Sequence, residues 1–267
     1  MLVGSENLRK NVPHIKTLNW QITLRCNYNC KFCSVHKLCN KIDREVKSPE
    51  QAHDLLDGIK KIDFDGLKVE CLNLVGGDPL MHPLFHEILK IARESGFSVW
   101  VTTNGSNLNK ENILSISRYA KGITIPIDSL SNLLEKELRC GAENHVSYAL
   151  ELADLIHEQG LKLAINTIVT KKNCQENLRA LIKRLDPHRW NVYQILPREF
   201  RNTEYISEKV DEAAFQEFVR KHSHVRLRCG TEPYFKNEED ILNSYFVLTP
   251  EGIIKNLKGT IKIEVQV

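Results

Sequence analysis

The sequence has no long hydrophobic run. Of its 267 residues, 42% are hydrophobic and 27% are charged, which is ordinary for a globular protein. No apolar stretch approaches the roughly 20 residues that a transmembrane helix needs. Residues 1–16 also lack the charged-then-apolar order of a signal peptide. We therefore expect a cytoplasmic protein without a membrane span, long enough for one catalytic domain.

A strong excess of charge of one sign is also missing. The 37 Lys and Arg residues nearly balance the 34 Asp and Glu residues, which leaves a formal net charge of +3 at pH 7. Proteins that bind nucleic-acid polymers usually carry a basic stripe or a higher net charge. The composition therefore argues against a nucleic-acid polymer or a membrane as partner, and it suits a small anionic substrate.

Cysteine, in contrast, is abundant. In a chain without a secretory signal, eight Cys residues indicate reduced thiols or metal ligands rather than disulfides. Three lie within eight residues, at Cys26, Cys30 and Cys33. The other five are scattered and are interpreted as plain thiols, with most interest in the first because it lies six residues past Cys33: Cys39, Cys71, Cys140, Cys174 and Cys229.

Short runs rich in β-branched residues alternate with amphipathic stretches. The predicted strands span residues 18–24, 68–75, 98–103, 122–127, 161–169 and 191–196. The predicted helices between them span residues 48–62, 83–95, 110–119, 143–159 and 174–185. This order predicts parallel strands joined by right-handed crossovers. Six βα units are fewer than the eight of a closed barrel, so we expect an α/β fold with a partial (β/α)6 TIM-like barrel.

The pattern changes after Leu196. The elements expected there are a charged loop, a helix, two short strands and a turn, at residues 197–209, 211–222, 225–228, 244–248 and 249–252. We therefore expect two parts. Residues 1–196 form the barrel core, and residues 197–267 form a small C-terminal α+β extension that covers the open edge of the barrel.

Residues 26–33, here called the cluster loop, directly follow the first predicted strand, where barrel active sites are built. Soft thiolates at this density bind iron–sulfur clusters or zinc. A [4Fe-4S] cluster held by three Cys ligands keeps one iron open. Structural zinc usually needs four protein ligands; no second Cys pair is present, although His36 or Cys39 could complete such a site. The spacing therefore favours the cluster, and Phe32 is placed to stack an adenine against it.

The C-x3-C-x2-C spacing, with an aromatic residue before the third Cys, resembles the signature of the radical S-adenosylmethionine superfamily. The resemblance implies that Cys26, Cys30 and Cys33 bind a [4Fe-4S] cluster. It further implies that S-adenosylmethionine chelates the open iron and that its reductive cleavage gives a 5′-deoxyadenosyl radical. An electron donor such as a flavodoxin or ferredoxin is then an expected partner.

Two turns lie where this resemblance requires cosubstrate ligands. The turn at residues 76–79 ends the second predicted strand and resembles the GGEP turn of the superfamily, with Asp78 in place of Glu. Gly76 and Gly77 let the backbone approach a ligand, and carbonyls with one carboxylate can hold the methionine ammonium group. Asn104 lies in the turn that ends the third strand, at the height of the ribose. A plain turn is the alternative interpretation of each.

Further stretches resemble the viperin-like family, which dehydrates nucleoside triphosphates to 3′-deoxy-3′,4′-didehydro forms in antiviral defence. They lie at residues 102–106, 127–129, 144–145, 165–169, 186–194 and 243–245. The resemblance implies a lyase that acts on a small nucleotide, with Arg139, Asn166 and Arg189 as substrate ligands. It also implies that Tyr245 returns a hydrogen atom or an electron to the substrate radical. The alternatives are salt-bridged surface Arg residues and a half-buried strand Tyr.

Three features depart from that family. Ala164 and Asn191 stand where family members tend to carry Lys residues that contact the substrate. Pro126 replaces a Ser, and the chain ends at Val267, before the C-terminal tail of the family. Other cations could supply the missing charge: Lys162, Lys171, Lys172, Arg198 and Arg201.

These departures leave alternatives for the substrate and for the function. The substrate could be another nucleotide, a less phosphorylated one or a partner-bound molecule. A rival function is a radical enzyme for a peptide, a sugar or a natural-product precursor. A zinc-binding regulatory module without turnover is a third hypothesis, and it is supported only by the number of Cys residues.

Overall fold

The computed structural model describes residues 17–33, 44–62, 68–141, 143–196, 208–256 and 262–264. Within these ranges ten strands form one sheet: β1 (Thr17–Gln21), β2 (Cys71–Val75), β3 (Ser98–Thr102), β4 (Gly122–Pro126), β5 (Lys162–Val169), β6 (Arg189–Gln194), β7 (Tyr234–Lys236), β8 (Phe246–Leu248), β9 (Ile253–Asn256) and β10 (Lys262–Glu264). The order from edge to edge is β10-β9-β8-β1-β2-β3-β4-β5-β6-β7. Strands β1 to β7 are parallel, which confirms the predicted partial barrel.

Eight helices are present in the described ranges: α1 (Pro49–Lys61), α2 (Phe85–Glu94), α3 (Lys110–Ser117), α4 (Asn132–Arg139), α5 (His145–Glu158), α6 (Arg179–Leu185), α7 (Glu212–His222) and α8 (Glu238–Ser244). Local signals fix several of their ends. The side chain of Ser48 caps α1 by accepting a hydrogen bond from the amide of Gln51, and Pro49 takes the first helical position. Gly96 and Gly160, with φ of +93° and +70°, follow α2 and α5. None of these helices is long and apolar enough to cross a membrane.

The two faces of the sheet differ in polarity because successive strand residues point to opposite sides. One face packs against the helices and carries large apolar residues such as Trp20, Val101 and Trp190, all fully buried. The opposite face, here called the inner face, carries amides and hydroxyls. On it, Asn73 donates to Asn19 and accepts from the hydroxyl of Thr102, both at 2.9 Å. The concave side of the barrel is therefore polar and suited to a polar ligand.

Helix α4 was not predicted from the sequence. Its buried positions include Glu135 and Arg139 beside Leu138, so the apolar periodicity that marks a helix is broken by charged residues. The side chain of Ser131 caps it by accepting from the amide of Leu134. Burial of a paired acid and base explains why the pattern gave no helix signal.

The predicted strand at residues 225–228 is wrong. Val225 and Leu227 alternate with Arg residues and both are buried, which imitates a strand. Their amides instead bond within a loop, Val225 to the carbonyl of His222 at 3.1 Å and Leu227 to the carbonyl of Thr231 at 3.0 Å. A 3₁₀ turn then follows at Arg228–Gly230.

The C-terminal segment contributes to both edges of the six-stranded core. Strand β7 extends the sheet beyond β6, whereas β8 lies parallel to β1 at the other edge. Residues 237–245 alone connect them, and they include α8. The predicted turn is present, since the amide of Gly252 bonds to the carbonyl of Thr249 at 3.0 Å between the antiparallel β8 and β9. The division into two parts at residue 196 stays a prediction.

Candidate active site

The cluster loop lies at the carboxyl end of β1 and is tied to α4. The amide of Lys31 donates to the carbonyl of Leu138, and the amide of Cys33 donates to the carbonyl of Cys30, both at 3.1 Å. The amide of Tyr28 points at the Sγ of Cys26 at 3.4 Å. These bonds curl the loop so that its three thiols lie within electrostatic range of one another.

Burial disfavours the ionised form of two of these thiols. It raises the pKa of Cys26 to about 11 and that of Cys30 to about 12. The neighbouring Arg139 opposes the second increase. Cys26 and Cys30 are therefore protonated at neutral pH until a metal centre displaces the protons.

The donor set fits an iron–sulfur cluster. Among the described residues, no three His, Cys, Asp or Glu side chains converge closely enough to hold a single metal ion. A cluster has a different requirement, because thiolates that bind different irons surround it instead of meeting at one point. Cys39 and His36, considered above as completing a zinc site, lie outside the described residues.

The backbone of Gly76 and Gly77 closely contacts the backbone of the residues that lead into the cluster loop. The amide of Gly77 donates to the carbonyl of Thr23 at 3.0 Å, and the amide of Asp78 donates to the carbonyl of Arg25 at 2.7 Å. A Cβ on Gly76 would lie 2.4 Å from the Thr23 oxygen, and a Cβ on Gly77 would lie 2.3 Å from the Arg25 oxygen. The chain therefore needs glycine at both positions to hold its own cluster loop.

The carboxylate of Asp78 is buried, with 0% exposure. It accepts hydrogen bonds from the amide of Leu80, the hydroxyl of Thr103 and the amide of Asn104, at 3.0, 2.7 and 2.7 Å. Burial raises its pKa, and the bonds from Thr103 and Asn104 oppose that increase. Asp78 thus joins the carboxyl ends of β2 and β3. Its predicted contact with an ammonium group stays a prediction.

Asn104 connects the end of β3 to the cluster loop. Its Nδ2 donates to the Oδ1 of Asn27 at 2.9 Å and approaches the Sγ of Cys26 at 3.9 Å. In return, the Nδ2 of Asn27 donates to the hydroxyl of Ser106 at 2.8 Å. Asn27 was not among the residues singled out from the sequence, because its link between the two loops depends on their contact in the folded chain.

Arg139 belongs to a buried ion triad beneath the cluster loop. Its guanidinium group bonds to Asp128 at 2.6 Å and to Glu135 at 3.1 Å, and it lies 5.1 Å from the ring centroid of Phe32. Burial raises the pKa of both carboxyls, and Arg139 opposes the increase. Arg139 is only 5% exposed, so its predicted contact with the substrate stays a prediction. The spacing of four residues from Glu135 was the available signal for this pair.

The structure brings Asn166 and Arg189 together on the inner face. The Nδ2 of Asn191 donates to the Oδ1 of Asn166 at 2.8 Å, and the Nε of Arg189 donates to the Oδ1 of Asn191 at 2.7 Å. Asn191 therefore fixes the direction of the Arg189 side chain. Their predicted role as substrate ligands is not tested by this geometry.

Tyr245 directly precedes β8, where it ends α8. It lies close enough to Tyr193 of β6 to affect its pKa, which burial raises first and Tyr245 raises further. The two tyrosines come from opposite edges of the core and meet because the sheet curls. Sequence reasoning missed Tyr193, although it alternates with Asn191 on the same face of β6.

Comparison with known proteins places the chain among radical enzymes. The model of the Radical SAM superfamily matches residues 20–185, more than half of the chain. An S-adenosylmethionine-dependent nucleotide dehydratase of Flammeovirga pacifica is 31% identical over 251 residues, covering 89% of this chain and 81% of the relative. A protein of the same name from Lacinutrix mariniflava is 29% identical and covers 93% of this chain, which spans 52% of that relative.

Solved structures agree on the fold. SuiB of Streptococcus suis, bound to S-adenosylmethionine, superimposes with a TM-score of 0.71 at 18% identity, over 90% of this chain and 59% of that protein.

The family model and the sequence relatives confirm the superfamily and the family implied by the sequence resemblance. The chain belongs to the Radical SAM superfamily and, within it, to the family of S-adenosylmethionine-dependent nucleotide dehydratases.

Proposed function

We propose that this chain cleaves S-adenosylmethionine reductively and dehydrates a nucleoside triphosphate to its 3′-deoxy-3′,4′-didehydro form. The supporting observation is the arrangement of two groups in one barrel. Three thiols lie together at the carboxyl end of β1, and the amide and guanidinium chain of Asn166, Asn191 and Arg189 lines the inner face. A product without a 3′ hydroxyl would terminate chain synthesis, which suits antiviral defence.

The proposed cofactor site consists of the cluster loop and two neighbouring turns. When bound, a reduced [4Fe-4S] cluster supplies the electron that cleaves S-adenosylmethionine to methionine and a 5′-deoxyadenosyl radical. Cys26, Cys30 and Cys33 would hold this cluster. Residues 76–78 hold the amino-acid end of the cosubstrate mainly through backbone groups, because the carboxylate of Asp78 already bonds within the protein. Asn104 and Phe32 contact the ribose and the adenine.

The proposed substrate site is the inner face of β5 and β6. There Asn166 and Arg189 would bind the nucleotide and orient its ribose for loss of the C4′ hydrogen atom. The substrate loses a hydrogen atom from C4′ and its 3′ hydroxyl, which takes up a proton and leaves as water. One electron then completes the alkene. Tyr245, beside Tyr193, supplies that electron and proton, and an external flavodoxin or ferredoxin restores it.

Anaerobic assay of the reconstituted protein tests this function. The protein is incubated with S-adenosylmethionine, dithionite and each nucleoside triphosphate in turn, and 5′-deoxyadenosine is followed by mass spectrometry. One nucleotide should stimulate its release and should itself lose one water. If none does so above the uncoupled background, the dehydratase function is wrong. A peptide or sugar precursor is then the next substrate class to assay.

Replacement of a thiol tests the cluster assignment separately. Cys30→Ala should abolish iron loading as well as cleavage, because one of the three ligands is lost. Cys229→Ala is the matched control, since Cys229 is exposed in the 3₁₀ turn at Arg228–Gly230. Full iron content in the Cys30 variant contradicts the assignment.

A further inference from the structure

Strand β7 places two unassigned side chains on the inner face. It pairs with β6 so that Tyr234 lies opposite Asn191 and Lys236 lies opposite Tyr193. Partners in register on adjacent strands point to the same side of a sheet. Tyr234 and Lys236 therefore face the same space as Arg189, although β7 was not predicted from the sequence.

Two cations lie beside the same aromatic ring on the inner face. The guanidinium carbon of Arg189 lies 5.4 Å from the ring centroid of Tyr234, and the Nζ of Lys236 lies 5.2 Å from it. Burial lowers the pKa of Lys236, and the positive charge of Arg189 lowers it further. Two like charges held this close are unfavourable unless an anion joins them.

The described residues supply little compensating charge. Within the described part of the chain, no carboxylate lies at ion-pair distance from Arg189 or Lys236. The Nζ of Lys236 donates to the hydroxyl of Ser244 at 2.5 Å. Asp240 lies within electrostatic range of Lys236, but its carboxylate closes the capping box of α8 with the backbone of Asn237.

The contact of Arg189 with Asn191 is compatible with a bidentate contact to an anion. Its Nε is used by Asn191, so its terminal nitrogens can meet two oxygens of a phosphate group in one plane. Among the alternative cations, Lys172 is engaged by Glu137 and Glu208. Arg198 and Arg201 lie outside the described residues.

We infer that Arg189 and Lys236, which both lie beside the ring of Tyr234, bind the phosphate groups of the substrate nucleotide. Lys236 thereby supplies, from β7, charge that family members carry at the positions of Ala164 and Asn191. Asn191 becomes the residue that orients Arg189. This inference rests on the proposed function for the identity of the substrate, but the anion site itself can be measured without turnover.

The anion site is tested by calorimetric titration of the reconstituted protein with inorganic tripolyphosphate. Lys236→Met removes a hydrogen bond from a charged group to the anion, and the free energy of such a bond corresponds to an affinity about tenfold or more weaker. Lys236→Arg should retain most of the affinity. Lys183→Met is the matched control, because Lys183 is exposed on α6. This variant should bind tripolyphosphate with unchanged affinity. Melting temperature and iron content establish that each variant folds, with Lys236→Gln as the substitute for a Met variant that does not.

Unchanged affinity in the Lys236→Met variant overturns the inference. Turnover then separates the two proposals. If a nucleoside triphosphate stimulates cleavage, the variant should raise KM about tenfold with little change in kcat; an unchanged KM refutes the phosphate site and leaves the dehydratase intact. If no nucleotide stimulates cleavage but tripolyphosphate affinity depends on Lys236, the anion site stands and the dehydratase function fails.

Discussion

Replacing Gly77 by Ala should displace the cluster loop. The added Cβ would lie 2.3 Å from the carbonyl oxygen of Arg25, whereas ordinary contact begins at 3.4 Å. The obstruction is backbone, one residue before Cys26, so no side chain can rotate to relieve it. The Arg25 carbonyl must therefore move by about 1 Å, which carries the first proposed cluster ligand with it.

The energetic cost follows from the contacts that the movement breaks. The bonds from Gly77 to Thr23 and from Asp78 to Arg25 are worth about 1 kcal/mol each. Overpacking adds about 1–3 kcal/mol, so the free energy of unfolding should fall by about 3–5 kcal/mol. That is a large part of the ~5–15 kcal/mol typical of a domain.

Iron content, visible absorbance and melting temperature measure both effects. Gly160→Ala is the control, because no atom lies within 4 Å of its added Cβ and its φ is +70°. The left-handed backbone costs it about 1–2 kcal/mol, so it should melt lower and still load iron normally. If Gly77→Ala loads iron like the wild type and melts no lower than Gly160→Ala, the close approach does not position the cluster loop.

Two further predictions concern buried charge. Arg139→Met leaves Glu135 and Asp128 buried without their cation, so the melting temperature should fall by the equivalent of about 3–5 kcal/mol; equal stability of variant and wild type contradicts the triad. Burial lowers the pKa of His145 and His222 to about 4, from 6.5. The stability that this neutral form provides is present above pH 6.5 and is lost as the pH falls towards 4. Thermal unfolding across this range should show the loss, and His222→Gln should reduce it by the His222 share.

Local features of the sequence were sufficient for the barrel and for the cluster loop. All six core strands were predicted, with ends that shift by three residues or fewer. Each β-branched run between helices can be recognised from its own residues, without knowledge of its neighbours in space. The C-x3-C-x2-C spacing is equally local. Ser48 and Gly160 mark helix ends through contacts with their immediate neighbours.

Features that depend on distant neighbours were missed or misread. Helix α4 escaped prediction because Arg139 is buried against Asp128 of another segment. Residues 225–228 imitate a strand but pair with no strand in the described part of the chain. Tyr193 and Lys236 gain meaning only from the register of β6 with β7, which no local pattern encodes.

By itself, the sequence determined two features of this protein. It sets three thiols at a fixed spacing, and its alternation of strands and helices places the loops that follow the parallel strands on one side of the sheet. The tertiary structure alone decided which charged groups bond within the protein and which face the inner side of the sheet, where a ligand could bind. Asp78 and Arg139 bond to other groups of the protein because buried charges require partners. Arg189 and Lys236 face the inner side together because curling of the sheet and strand register, rather than sequence proximity, set their distance from Tyr234.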